Sequence, residues 1–205
     1  MKPFITTHSG RRVDPTAMTL DDIVITDIAH ALALCNRFAG HSRWPISVAQ
    51  HSVGVSLLPG VPPLQGLLHD AAEAYVGDMT KWLKSVPEME FYRRVEDDLQ
   101  RQIYARFGCP VALDPGVEHG DKTMVRYEYH NAFDTAGLGV PGYPPVSLEE
   151  EEVLGRVFAE TGWRAKMDWS EAEDLFLARF NQLVDTLDAT QNGGGVIYTP
   201  KNTLL

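Results

Sequence analysis

The chain has 205 residues, 44% of them hydrophobic and 22% charged, a composition typical of one soluble domain that buries its own core. Its formal net charge of −10 argues against a nucleic-acid polymer as partner, because proteins that bind such polymers present a basic face. No apolar run is long enough to span a membrane, the first residues lack the apolar core of a signal peptide, and two cysteines make no disulfide framework. We therefore expect a cytoplasmic protein with no membrane partner.

Helical patterns dominate after a turn-rich opening of about 20 residues, and alternating strand patterns are short and rare. The sequence predicts an all-α fold, a compact bundle of about seven to eight helices. The predicted helices cover residues 25–38, 47–58, 64–75, 85–107, 114–133, 147–162 and 170–188, with a loop or short turn at 77–84 and a loop at 137–145. No linker divides the chain, so we expect a single domain over residues 1–190 and a flexible tail over 191–205.

Helix starts are predicted where a Ser or Asp side chain can accept a hydrogen bond from the first helical turn. Such caps are predicted at Ser47, Ser85, Asp114, Ser147 and Ser170. The third helix, from Leu64 to about Tyr75, is apolar on nearly every side and is therefore expected at the centre of the bundle.

Two histidines and two aspartates interrupt these helices: His51, the pair His69-Asp70, and Asp121. His51 and His69 lie on predicted helices joined by a tight turn, and an antiparallel pair could present both imidazoles to a shared point. Asp70 adds an oxygen beside His69, and Asp121 adds one from a distant helix. Two imidazoles and two carboxylates suit one divalent transition metal (Zn, Mn, Co or Fe) better than Ca, which prefers oxygen ligands. The alternative is a hydrogen-bonded core network without a metal.

Two more acids follow the pair and are candidates for catalysis. Glu73 lies one helical turn after His69, so it shares a helix face with the ligands and could orient or deprotonate an attacking water. Asp78 lies in a loop that could return its carboxylate over the site. Lys81 and Lys84 come next and are expected to bind phosphate oxygens, with which additional Mg could be bound.

Three residues before the His51 helix are further candidates for substrate binding. Arg37 ends the first predicted helix, where its guanidinium could fork onto a phosphate. Trp44 could stack on a nucleobase or pack as an ordinary aromatic. His41 could contact substrate or have a structural role.

The other histidines give weaker signals: His30 is expected to pack or to support a ligand, and the neighbours of His8 suggest no role. The sequence has no P-loop, no Rossmann glycine pattern, no Gly-x-Ser-x-Gly and no His-Glu-x-x-His. The usual NTPase, dehydrogenase, esterase and zincin classes are therefore excluded as interpretations.

The pattern of His51, His69-Asp70 and Asp121 resembles the HD-domain metal-dependent phosphohydrolases. Within them the chain is similar to the YfbR-type 5'-deoxynucleotidases and the phage dATP triphosphohydrolases of the DatZ type, over roughly residues 5–135. This narrower likeness is carried by three stretches: Arg37-Phe-Ala-Gly-His41, Ser47-Val-Ala-Gln-His-Ser52, and Leu67-Leu-His-Asp-Ala-Ala-Glu-Ala-Tyr-Val-Gly-Asp78.

The resemblance implies an HD-type helical domain in which these two histidines and two aspartates bind one divalent ion. It also implies helper roles for Glu73 and Asp78 and a phosphate contact for Arg37. The expected reaction is hydrolysis of a deoxynucleotide through a metal-activated water, by a homo-oligomer. The substrate could be a dNTP, such as dATP, or a dNMP; the spacing does not decide between them.

Two other functions stay open at this point. One is an HD-type hydrolase of another phosphorylated nucleotide, such as a cyclic nucleotide or (p)ppGpp. The other is a non-catalytic sensor that binds a metal or nucleotide through the same residues. Glu73 and Asp78 favour an enzyme, because binding alone requires neither.

Overall fold

The computed structural model describes residues 4–133 and 142–191, with side chains described as far as residue 187. Within these residues the fold is all-α, as predicted, with one small antiparallel hairpin of β1 (Ile5–Thr6) and β2 (Arg12–Val13). The helices are α1 (Ile25–Leu34), α2 (Val48–Leu57), α3 (Pro63–Leu68), α4 (Glu73–Val76), α5 (Lys81–Lys84), α6 (Glu90–Phe107), α7 (Pro115–Ala132), α8 (Leu148–Thr161) and α9 (Trp169–Gln191). None of the described helices is both long and apolar enough to cross a membrane.

Helix α2 lies at the centre and packs against α1, α3, α7 and α9. Every residue from Val48 to Ser56 is buried, so this helix has no solvent face. Ser47 caps its first turn as predicted: its hydroxyl accepts a hydrogen bond from the Gln50 amide at 3.1 Å. A Cβ on Gly66 of α3 would lie only 3.3 Å from the Ser56 backbone, so the glycine allows α2 and α3 to pack closely.

The first predicted helix ends at Leu34 instead of Phe38, because the chain pairs with a later segment. The Arg37 amide donates to the Ile46 carbonyl at 2.8 Å, and the Ile46 amide donates to the Asn36 side chain at 3.1 Å. The next residues form a tight turn in which Phe38 (φ 57°) and Ala39 (φ 49°) adopt left-handed backbone conformations. These angles are strained for residues that carry a Cβ.

The predicted helix over 64–75 is divided into α3 and α4 by the side chain of Gln100, which comes from α6. Its amide nitrogen donates to the Leu68 carbonyl at 2.6 Å, and its amide oxygen accepts from the Ala72 amide at 3.0 Å. Those two backbone groups would bond each other in a regular helix. The chain between them instead forms tighter bonds, such as the Glu73 amide to the Asp70 carbonyl at 3.0 Å.

Two predicted caps are corrected. Ser85 does not open α6, since a 3-10 turn at Pro87–Met89 comes between them. Ser170 does not cap α9; Asp168 accepts from the Glu171 amide at 3.0 Å, and the Ser170 hydroxyl donates to the same Asp168 oxygen at 2.7 Å. The predicted caps at Ser147 and Asp114 are confirmed.

Helix α9 packs on α1, α2 and α3, with Phe176 and Phe180 buried, so the C-terminal region is part of the core. It ends at Gln191, slightly beyond the predicted end near 188. The predicted tail from residue 192 onward and most of the predicted loop at 137–145 lie outside the described residues.

Candidate metal centre

His51 and His69 meet between α2 and the turn after α3, with their ring centroids 5.3 Å apart. The Nε2 atom of His51 lies 3.1 Å from Oδ1 of Asp121, and Nε2 of His69 lies 4.0 Å from the same oxygen. Oδ2 of Asp70 lies 3.2 Å from the His69 Nε2 atom. The structure thus brings together the four residues that the sequence selected as metal ligands.

Each imidazole is held through its other nitrogen. Nδ1 of His51 lies 2.8 Å from Oε1 of the buried Glu128, and Nδ1 of His69 lies 2.8 Å from the Gly66 carbonyl. Both partners are acceptors, so each Nδ1 carries the proton and donates it. The Nε2 atoms are then the ones that face Asp121, with a lone pair available when the ring is neutral.

Asp121 reaches this point because α7 is anchored at its start. The side chain of Gln65 in α3 accepts a hydrogen bond from the Asp114 amide at 2.9 Å. The side-chain nitrogen of Gln65 donates to the carbonyls of Pro110 at 2.9 Å and Ala112 at 2.8 Å. One side chain of α3 therefore fixes the loop that leads into the Asp121 helix.

The arrangement fits a divalent cation. One ligand atom each from His51, His69 and Asp70 lies within 4.8 Å of the others, so small side-chain rotations would bring them to the usual distance of about 2.0–2.2 Å from a shared ion. The His69 Nε2 atom is buried and has no aligned hydrogen-bond partner among the described residues. A buried nitrogen left in this state is costly unless another group binds it.

The pKa values point the same way. Burial opposes protonation of His69, yet the charge of the Asp70 carboxylate, 3.2 Å from the Nε2 atom, outweighs burial and raises the pKa of His69 to about 9. Burial and Arg37 oppose protonation of His51, but Glu128 and Asp121 raise its pKa above the ordinary value. The carboxylates therefore stabilise positive charge at the centre, and either two protons or a metal ion can supply that charge.

Arg37 joins the centre to Glu128, a residue the sequence analysis missed. Its Nε atom donates to Oε2 of Glu128 at 3.2 Å, and one terminal nitrogen lies 3.5 Å from Oδ2 of Asp70. Burial disfavours both charges, but Arg37 and His51 lower the pKa of Glu128 below its ordinary value. Glu128 lies two helical turns after Asp121 and so shares its face of α7, a spacing that could have identified it.

The two proposed helper acids differ in their surroundings. Glu73 is buried, and its Oε1 atom accepts from Lys84 at 3.2 Å, while its Oε2 atom has no hydrogen-bond partner among the described groups. Burial and the charges of Asp70 and Asp78 raise the pKa of Glu73 well above that of a free carboxyl. Asp78 is half-buried, and its backbone amide donates to the Cys35 sulfur at 3.4 Å, which holds its loop beside the end of α1.

A cleft of about 820 Å³ opens over this centre. Asp70 and Asp121 line it, whereas His51 and His69 are buried. Cationic side chains also line the cleft: Arg37, Lys81, Lys84, Lys122 and Arg126. An aromatic group that the sequence analysis missed lies on another part of its wall, with ring centroids about 5 Å apart: Phe38, Tyr129, Phe133 and Tyr143.

Four of the five predicted substrate-binding residues line the cleft, and Trp44 does not. Arg37, His41 and Lys81 line the cleft. Lys84 also lines it, but its ammonium group is bound by Glu73 and, at 2.5 Å, by Glu96.

Trp44 does not line the cleft. Its Nε1 atom donates to the Ala165 carbonyl at 2.9 Å, and Arg43 and Lys166 lie over its ring at 5.1 Å and 4.5 Å. The proposed stacking of a nucleobase on Trp44 thus has no support from its position. The indole instead packs the segment before α2 against the segment before α9.

Comparisons with known proteins place the chain among relatives of unstated activity. No family model matches it. It is 38% identical over 183 residues to the uncharacterized protein YfdR of Escherichia coli, a match that covers 88% of this chain and 95% of that protein. It is 37% identical over 124 residues to the uncharacterized protein RCAP_rcc00048 of Rhodobacter capsulatus, covering 56% of this chain and 63% of that one. The extent and identity of the first match show that the chain belongs to the family of YfdR.

Proposed function

We propose that this protein is a metal-dependent phosphohydrolase of the HD type that acts on deoxynucleotides. The observation that supports it most is the pair of buried imidazoles, each anchored through Nδ1, whose Nε2 atoms face Asp121 at the base of a large cleft. A divalent ion held by His51, His69, Asp70 and Asp121 would supply a water of lowered pKa and offset phosphate charge.

Glu73 is the best candidate for moving a proton. Its carboxyl group is buried, its Oε2 atom is free of other partners among the described residues, and its raised pKa allows it to hold a proton near neutral pH. Asp78 lines the cleft and is the second candidate. Lys84 would act mainly on Glu73, whose charge it stabilises, and less on phosphate.

Phosphate oxygens would contact the cationic side chains that line the cleft. Lys81 is exposed, lines the cleft and forms no ion pair with an acid of the described residues, and Arg37 lies beside Asp70. A guanidinium fixed by Glu128 loses little freedom when it binds an oxygen. These two residues are therefore the proposed phosphate contacts.

The nucleobase would lie against the aromatic group rather than on Trp44. Phe38 and Tyr129 have ring centroids 4.9 Å apart, and Tyr143 lies 5.1 Å from Tyr129. Flat aromatic surfaces of this kind bind bases by stacking. The volume of the cleft lies in the range of nucleotide-sized sites and admits a monophosphate or a triphosphate. The proposed enzyme would act in the cytoplasm, and its homo-oligomeric state stays a prediction.

The test is hydrolysis of a substrate panel by purified protein loaded with Mn, Co or Zn. The panel contains dNMPs, dNTPs, a cyclic nucleotide and (p)ppGpp. The readout is release of phosphate, pyrophosphate or tripolyphosphate and, for the cyclic nucleotide, formation of the nucleoside monophosphate. We expect hydrolysis of at least one deoxynucleotide. Tight metal or nucleotide binding without turnover under every metal would contradict the proposal and favour a sensor, and turnover confined to the cyclic nucleotide or (p)ppGpp would reassign the substrate.

Two variants separate metal binding from proton transfer. Asp70→Ala should lose both metal and turnover, while Glu73→Gln should keep the metal and lose most activity. Glu152→Gln, an exposed acid of α8 whose partner Arg156 is also outside the cleft lining, is the matched control and should keep both. Full metal content in Asp70→Ala, or normal rates in Glu73→Gln, would remove the proposed role of that residue.

A further inference from the structure

A second group of metal-binding side chains lies where the β1–β2 turn, α1 and the start of α9 meet. His8 comes from the turn between β1 and β2, His30 from α1, and Glu173 from the first turns of α9. One ligand atom from each lies within 4.8 Å of the others. None of the three residues lines the cleft or contacts the first centre through a described hydrogen bond or ion pair.

The three side chains lie close enough to share an ion once the exposed ring of His8 rotates out of its stack on His30. The rings of His8 and His30 stack with centroids 3.7 Å apart and an angle of 23° between their planes. Nδ1 of His30 lies 3.0 Å from Oε2 of Glu173. Two imidazoles and one carboxylate form the donor set of many zinc sites, in which water completes the coordination.

The protein holds this arrangement in place without an ion. The buried carboxylate of Asp27 accepts hydrogen bonds from the Ser9 amide at 2.6 Å and the Ser9 hydroxyl at 2.8 Å, which fixes the turn beside His8. Trp169 packs the edge of its ring against His30, with centroids 5.9 Å apart. His30 and the turn beside His8 would then stay in place when an ion binds, and the required movement is rotation of the exposed His8 ring.

A cavity beside the group gives water access to it. The cavity has a volume of about 350 Å³ and is lined by His8, His30, Thr7 and Asp27, among others. The side chains of His30 and Glu173 are only 23% and 17% exposed, whereas His8 is exposed. An ion could therefore enter from the side of His8 and keep one or two water ligands.

We propose that His8, His30 and Glu173 form a second site for a divalent transition metal, with Zn²⁺ as the best-matched ion. Bound there, the ion would join the β1–β2 turn to α1 and α9, three segments that are far apart in the sequence. Its role would be structural, because Asp27, the acid that lines the cavity beside the two histidines, is already bound by the Ser9 amide and hydroxyl. This site does not depend on the proposed hydrolase activity, and either proposal can fail alone.

Fluorescence of Trp169 gives a local readout, since the indole packs against His30 and Co²⁺ quenches nearby tryptophan. The experiment titrates Co²⁺ into chelator-treated protein and subtracts the same titration of Trp169→Phe. We expect saturable quenching assigned to Trp169 and competition by Zn²⁺. Absence of such quenching below about 1 mM Co²⁺ would overturn the proposal.

Two conservative variants locate the ligands. His8→Phe keeps a ring to stack on His30 but removes the nitrogen, and Glu173→Gln keeps a hydrogen-bond partner but is a poor ligand. Each should raise the half-saturating Co²⁺ concentration at least tenfold, while His130→Ala, an exposed histidine elsewhere, should not change it. Unchanged titrations in folded His8→Phe and Glu173→Gln, checked by circular dichroism, would refute the site. The quenching should also persist in Asp70→Ala, which lacks the first centre, and its loss there would assign the signal to that centre instead.

Discussion

Replacing Glu128 with glutamine tests how far the buried charges around His51 depend on one carboxylate. Glu128 is 2% exposed and accepts from His51 at 2.8 Å and from Arg37 at 3.2 Å. A glutamine side chain has nearly the same size, but its single oxygen can serve only one of these donors well. The variant therefore leaves either His51 or Arg37 without its partner while it creates no cavity.

The expected cost follows from these contacts. Removing one partner from a buried ion pair costs about 3–5 kcal/mol, and losing one hydrogen bond to a charged group costs about 1.5–3 kcal/mol. Asp70, 3.5 Å from Arg37, compensates in part. We expect Glu128→Gln to lower the free energy of unfolding by about 2–3 kcal/mol. Metal affinity should fall about 10–100-fold, because the amide orients His51 less firmly.

Urea unfolding of the chelated protein and calorimetric titration with Zn²⁺ measure the two effects separately. The control is Glu118→Gln, which removes an exposed ion pair with Lys122 one helical turn away and should cost less than about 1 kcal/mol. If Glu128→Gln unfolds within about 0.5 kcal/mol of the original protein and binds the metal equally well, Glu128 does not position His51, and the reasoning fails.

Three further predictions concern stability. Gly116→Ala should destabilise the protein by about 1–3 kcal/mol, because the added Cβ would lie 2.3 Å from a backbone carbonyl. Gly155→Ala, with open space around it, should stabilise the protein by about 0.5–1 kcal/mol, and equal changes in the urea midpoints of the two variants would contradict this prediction. Asp168→Ala should cost about 1 kcal/mol in thermal unfolding and Ser170→Ala less than half of that, and the reverse order would restore Ser170 as the cap. In chelator, protonated His69 stabilises the fold below pH 6.5, and this contribution should be lost as pH rises towards its raised pKa of about 9. Unfolding free energies that show no decline over this window, or the same decline in His69→Gln, would refute the assignment.

The residues of the metal centre could be selected from the sequence because they are polar residues in helices that are otherwise apolar. His69 and Asp70 interrupt a helix that is otherwise apolar, and His51 follows a recognisable cap at Ser47. Such positions become buried as the apolar neighbours pack, so their polar groups must find partners there. Convergence of the four residues follows from that requirement. Which ion they bind, and which reaction they support, does not follow from it.

The details that the sequence analysis missed depend on partners far away in the chain. Helix α3 stops at Leu68 because of Gln100, and nothing near Leu68 indicates this. Trp44 turns away from the cleft because the Ala165 carbonyl offers it an acceptor. Local pattern carries information on helix periodicity and caps, but not on which side chain of another helix enters a backbone ladder.

The two places where the backbone departs from its local preference have a common position and a common cause. The left-handed turn at Phe38 and Ala39 and the break at His69 to Ala72 both border the centre. Each is tied by hydrogen bonds to another segment: the first to Ile46, whose amide donates to the Asn36 side chain, and the second to Gln100 of α6. The strained φ angles belong to the turn at Phe38 and Ala39, and strain that the rest of the fold must hold in place is often found at functional sites. Next to these two breaks, Arg37 and Asp70 line the same cleft. The backbone thus supports a binding site here independently of any resemblance in the side chains.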